Sequence, residues 1–392
     1  MRSFPPLLTL LLLSLAGSSA CAASPAQEGG ADAQNSEQDD APQLSSSDYG
    51  ALKLRSIGPA ITGGRVTDFL VMPGKRQHFF AALASGGIWE TTNAGTTWKP
   101  VFDSYGSYSI GCLAQDPNNP HVIWAGSGEN NSQRSVSFGD GVYRSKNGGK
   151  SWENMGLKES EHIGKILIDP RDSNTVFVAA QGPLWREGGD RGLYKSTDGG
   201  KEWRKVLEID EHTGVNEVHF DPRNPDVMYA SSYQRARRVW TLINGGPGSA
   251  IWKSEDGGEN WRKLSSGIPG GDKGKIGMAV SPANPDIVYA IVEAAEGRGG
   301  VFRTTDRGET WSKQSSYMSS SPQYYNELVP HPHDPDTVYS LDTYLQISTD
   351  GGKTFSRVPN TNRHVDDHAL WIDPADPDYL LVGCDGGVYD SH

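Results

Sequence analysis

The chain has 392 residues, a formal charge of −12, 47 glycines and 11 tryptophans. That length would hold two or three ordinary domains, and an acidic chain without a long basic stripe excludes a nucleic-acid partner. So much Gly beside so much Trp suits many turns with bulky packing anchors, and argues against disorder.

Met1-Arg2, an apolar run from Leu7 to Leu15 and the small residues Gly17-Ser18-Ser19-Ala20 read as a secretory signal peptide over residues 1–20, too short to span a membrane. Cys21 follows directly. The junction resembles a bacterial lipoprotein cleavage box, with Ser18 where Leu is most usual, so acylation of Cys21 and plain cleavage after Ala20 both stand. Acylation would tether the protein to a membrane. Residues 21–48, rich in Ala, Gln, Ser and acids, read as a disordered tether, leaving residues 49–392 to fold. Cys112 and Cys384 fall in different sequence units and are expected to be free thiols.

The folded part is organised by a repeat of the form Ser/Thr-x-Asp/Asn-x-Gly-x-x-Trp/Phe. It begins at Thr91, Ser145, Ser196, Ser254, Thr304 and Ser348, at intervals of 54, 51, 58, 50 and 44 residues. The Asp or Asn can accept amides of its own turn, the Gly supplies positive φ, and the aromatic ring opens the next strand. Because six carboxamide or carboxylate side chains share one turn position, these acids are expected to be structural.

Four strand segments recur per unit, clearest at Ile163–Ile168, Thr175–Ala180, Gly192–Lys195 and Trp203–Leu207, here called strands A to D. A second marker sits between A and B, as in Asp169-Pro170 and Asp221-Pro222. Counting both markers gives seven units, starting near Val66, Ile110, Ile163, Val215, Ile276, Tyr325 and Asp367. The expected fold is all-β: a seven-bladed β-propeller of four-stranded blades. The last unit has no strand D, and the orphan segment Ala51–Ile57 is expected to supply it, closing the ring.

At these residues the chain resembles the Asp-box repeat proteins, specifically the sortilin amino-terminal domain family and its bacterial relatives often described as glycosyl hydrolases. The resemblance covers roughly residues 50–392 and includes Arg55-Ser56-Ile57-Gly58-Pro59 and Gly63-Gly64-Arg65. It implies the fold and leaves activity open, since sialidases, xyloglucanases and non-catalytic receptors all carry this turn. In the xyloglucanases a catalytic Asp precedes the Gly-Gly that opens strand C of the first blade. Here Ala84-Ser85-Gly86-Gly87 puts Ser85 there, which cannot act as an acid, and the second acid would lie in a second propeller. A sialidase would need three converging arginines; Arg65, Arg134 and Arg235 are available, with nothing in their spacing to select them.

Recognition is expected on the rim built from B–C and D–A connectors, whose lengths vary. Glu129, Asn130, Asn131, Ser132, Gln133 and Arg134 form a polar B–C loop able to bind a glycan or peptide, or to satisfy itself. In the fourth unit, the long loop Ser231–Ala250 carries Arg235, Arg237, Arg238 and Trp240, a cationic site for a carboxylate, sulfate or acidic peptide. His364, Asp366 and His368 would share one side of an extended strand and could hold a divalent cation, the one cofactor in prospect; structural capping is the alternative. The resulting expectation is an exported, monomeric, non-catalytic propeller that binds a protein, peptide or glycan. Its rival is a glycoside hydrolase using Glu129 or Asp366.

Overall fold

Each Asp-box turn closes on its own side chains. In the copy at Ser196 the hydroxyl donates to Asp198 Oδ1 at 2.8 Å and accepts from Gly200 N at 2.8 Å. Asp198 Oδ1 also accepts the amides of Lys201 and Glu202, and these bonds, led by that of Glu202, hold the carboxyl below its usual range. Gly200 has φ +84°, and a Cβ there would lie 2.6 Å from the Trp124 ring. Two constraints therefore select glycine. Trp203, three residues on, donates Nε1 to Met155 O of the preceding blade at 2.8 Å and meets Trp124 edge-on.

The computed structural model describes residues 64–360 and 362–391. Seven antiparallel sheets follow one another, at residues 66–100, 110–154, 163–207, 213–264, 273–315, 328–357 and 367–391. In blade three the strands are Ile163–Asp169, Asp172–Ala180, Gly192–Ser196 and Arg204–Leu207, within a few residues of the sequence expectation. From blade one to blade six successive A strands lie against one another around the axis, and the first, Val66–Val71, lies against the last, Asp367–Ile372. The molecule is a seven-bladed β-propeller.

Its core is divided accordingly. Seven apolar clusters each join two consecutive blades, one per interface. The seventh packs Val66, Phe69, Phe79 and Ala81 of blade one on Ala369, Tyr379 and Leu381 of blade seven, so the described residues close the ring by packing. Blade seven has three strands among these residues; the segment Ala51–Ile57 expected to complete it lies outside them, as do residues 1–20, the tether 21–48 and Cys21. Cys112 and Cys384 are both free and buried.

Two departures from expectation shape the site. The stretch Ser231–Ala250 is no open loop: strand B of blade four runs on from Asn224 to Arg238 and turns back into an accessory strand, Thr241–Asn244. Most A strands also carry a bulge near their start, seen as register shifts at Val66/Asp68, Ile110/Cys112, Val215/Glu217 and Asp367/Ala369. These bulges re-aim the next side chains toward the axis.

Alanine at Gly200 is expected to destabilise the protein more than alanine at Gly199, whose φ is +74° but whose nearest neighbour is the flexible end of Arg144. The left-handed conformation costs both about 1–2 kcal/mol; the Trp124 clash adds to Gly200→Ala alone. Urea midpoints of the two variants check the difference.

Candidate functional site

The bulged A strands line a polar cavity of about 110 Å³ on the axis, bounded by Asp68, Cys112, Lys165, Glu217 and Glu327. It has room for a few waters and no sugar ring. Asp68 accepts the amides of Phe69 and Leu113, both at 2.8 Å, yet burial pushes its carboxyl up to about 6. Burial would lower Lys165, but the carboxylates of Glu217, Asp68 and Glu327 more than offset it and raise its pKa. Lys165 and His219 in turn keep Glu217 low against burial.

A lid closes this cavity on the B–C side, and it is the polar loop of blade two. Asn130 Nδ2 donates to Glu327 at 3.2 Å, and its carbonyl accepts Lys275 Nζ at 3.2 Å; Gln181 donates to its side chain. Glu129 pairs through both oxygens with Arg65, and its carbonyl bonds His162 Nδ1 at 2.9 Å. Ser132 N donates to Gln323 O at 3.2 Å. The loop thus reaches blades one, three, four, five and six.

This corrects two expectations and bears on a third set of residues. Glu129 and Asn131 are 3% and 2% exposed, so they hold the lid and are not side chains of an open surface loop. Arg235 is fully buried and donates to Asn131 O and Gly182 O, a clamp beneath the lid. Arg65, Arg134 and Arg235 do not converge: one pairs with Glu129, one is exposed and one is buried. Gln133, whose amide is bonded to Asn131 Oδ1, and Arg134 remain accessible at the edge, with Arg237 and Arg238 half-buried nearby.

The expected cation site is also reshaped. Asp366 has φ +67°, and a bulge separates Asp367 from Ala369, so the alternation that would align His364, Asp366 and His368 is broken. His364 is exposed and turned to Val365 O, Asp366 accepts the Tyr325 hydroxyl, and His368 stacks on Tyr325 with Nε2 3.5 Å from Asp385. Among the described residues the set whose ligand atoms lie within 4.8 Å of one another is Glu187, Glu211 and His212, two exposed glutamates and a half-buried histidine.

Asp385, beside His368 and Arg65, is a residue that the repeats could have disclosed. Asp385-Gly386-Gly387 stands in blade seven where Ser85-Gly86-Gly87 stands in blade one. Burial raises its pKa, but the His368 bond and the charges of His368, Arg65 and His364 bring it below the usual range. Burial pushes the Tyr324 and Tyr325 hydroxyls upward, away from nucleophilic character. Arg65 stacks 4.9 Å above Tyr324. Around the lid, Glu129 is paired with Arg65, Asp366 accepts the Tyr325 hydroxyl and Asp385 lies 3.5 Å from His368.

Away from the lid, the exposed large apolar side chains among the described residues are Tyr108, Phe138, Trp185, Val239, Trp240 and Ile243. Each lies in a D–A or B–C segment flanking or within blades two to four, and so all share one rim. Such an arc on an otherwise polar surface marks a contact area.

An Asp-box propeller with its axial cavity lidded and one rim aromatic is the class these features define. The chain belongs to the sortilin family: the model described as "Sortilin, neurotensin receptor 3" matches residues 140–247 and 249–368, more than half its length. It is similar to a xyloglucanase of Acetivibrio thermocellus, 24% identical over 261 residues, and to a xyloglucanase of Paenibacillus sp, 23% identical over 236. Those matches take in 56% and 55% of this chain but 30% and 22% of the enzymes, so it spans under a third of their length. Among solved structures it resembles the GH74 xyloglucanase from Xanthomonas campestris, with TM-score 0.60, 19% identity and coverage of 85% of this chain and 52% of that one. It also resembles YCF48 bound to D1 peptide, with TM-score 0.55, 15% identity and coverage of 84% and 94%. At such identities both likenesses speak to fold alone.

Removing one member of the buried Arg65–Glu129 pair strands the other. Arg65→Ala should cost about 3–5 kcal/mol, whereas Arg134→Ala should stay within about 0.5 kcal/mol; chemical denaturation of both checks this. Asp68 gives a pH signature. Its folded pKa of about 6 exceeds the 3.8 of a free aspartate, so the folded state holds the proton more tightly and stability falls as pH rises from about 4 to about 6. In Asp68→Asn that fall should flatten, read as urea midpoint against pH.

Proposed function

We propose that this protein is an exported, non-catalytic propeller that binds a protein, peptide or glycan on its B–C and D–A rim. The observation that carries this reading is the confinement of the exposed large apolar side chains to that rim, beside Arg134, Arg237 and Arg238. Aromatic and Arg side chains on a rigid frame bind at low entropic cost. Export rests on the apolar run Leu7–Leu15 and its small-residue junction, with Cys21 as a site for acylation. The likeness to YCF48 bound to D1 peptide supports a ligand-binding use of such a ring.

A second reading, glycoside hydrolysis, is favoured by the similarity to xyloglucanases and by Asp385 before Gly386-Gly387. Against it, an acid catalyst needs a carboxyl held protonated near neutrality, and Asp385 is shifted the other way.

Incubation of the purified chain with xyloglucan and other polysaccharides should release no reducing ends. Hydrolysis that disappears in Asp385→Asn, Glu129→Gln or Asp366→Asn would replace binding by catalysis. In glycan-array and peptide-display screens, Phe138→Ala with Trp240→Ala should reduce capture at least tenfold, and Lys150→Ala with Lys201→Ala on the opposite rim should not.

A further inference from the structure

Blade four carries the feature that sets it apart from the other six. Its accessory strand Thr241–Asn244 pairs only with Arg235–Arg238, in the register Arg235 to Asn244 and Arg238 to Thr241. On the other side, the backbone of Thr241, Leu242 and Ile243 has no hydrogen-bonded partner among the described residues. Sheet edges left bare recruit strands, and proteins ordinarily blunt them with charge or proline. This edge, Thr241-Leu242-Ile243, has neither.

The hairpin tip is equally unusual. A two-residue connection favours Gly, Asn or Asp; here it is Val239-Trp240, with side chains 87% and 82% exposed, and Ile243 on the strand is also open. The charges around it are unbalanced. Arg134, Arg237 and Arg238 form no ion pair among the described residues, in a chain of net charge −12. Arg237 gives Nε to Ser132 O at 2.8 Å and Arg238 gives Nη1 to Trp185 O at 3.2 Å, which fixes both guanidiniums beside the hairpin. Burial and the nearby Arg134 charge lower the pKa of Arg237, a like-charge cost that an anion would relieve. The acids at hand are occupied: Glu159 and Glu161 pair with Arg186, and Glu187 stands 3.8 Å from His212.

We propose that the free edge of Thr241–Asn244 receives an extended acidic segment of a protein partner as an added strand. Its carboxylates meet Arg134, Arg237 and Arg238, and an apolar side chain of the segment covers Trp240. This rests on the binding reading above and names its ligand. A peptide main chain matches the alternating N–H and C=O of a bare edge, which neither a polysaccharide nor a lipid surface does. Arginine supplies the fork that carboxylates fit.

Selection of a displayed random 12-residue peptide library on the purified chain tests this. Enriched peptides should carry an excess of Asp and Glu around an aromatic or aliphatic residue. Affinity should fall at least tenfold in Arg134→Glu with Arg238→Glu, and in Trp240→Ala. N-methylation of backbone nitrogens along an enriched peptide should weaken binding at alternate positions only. Enriched peptides without acidic bias, or insensitive to these changes, overturn the inference and leave the binding reading standing. Capture of dextran sulfate or phosphatidylglycerol vesicles with no peptide enriched overturns it in favour of those ligands. With no capture of peptide, glycan or vesicle, both fall.

Discussion

A four-stranded blade has two apolar faces and no way to cover either by itself. Everything in this molecule follows from covering them with neighbours. The seven core clusters sit between blades and none within one, so each sheet is stable only in register with the next. Val66 and Phe79 against Leu381 complete the circuit, and with the circuit complete the connectors are mounted on a frame that cannot flex open at one interface.

The two ends of that frame spend their polar groups differently. On one, the Asp-box turns satisfy themselves: Ser196, Asp198 and Gly200 exchange hydrogen bonds within a few residues, leaving little to offer a ligand. On the other, connectors bond across the ring. Asn130 reaches Glu327 of blade six, Arg235 reaches Asn131 of blade two, and Ser132 reaches Gln323. Glu129 and Arg65 are paired beneath the same loop, and aromatic and guanidinium side chains are left facing outward.

The fold was legible because its information is local and repeated. Asp169-Pro170 marks a turn whichever blade it is in, and the strands of blade three end within a few residues of where turn chemistry puts them. The site was less legible because its information is distant. Arg235 looks like a surface cation until Asn131, 104 residues away, is seen to cover it. The alternation proposed for His364, Asp366 and His368 required extended backbone, and the left-handed Asp366 breaks it. Tyr325, expected to open a strand, sits in a loop, since strand A of blade six begins at Leu328. The hairpin at Val239-Trp240 lacks turn residues and so leaves no mark in the sequence, whereas Asp385 follows from the repeat.

The loop over the channel has one more implication. Its backbone and side chains touch residues of five other blades at fixed hydrogen-bond spans, from Arg65 on one side to Lys275 and Glu327 on the other. A ring with one blade more or fewer would have a different circumference, and those spans would no longer fit. The loop acts as a gauge: propellers otherwise tolerate gain and loss of repeats, but in this one the diameter is measured from inside.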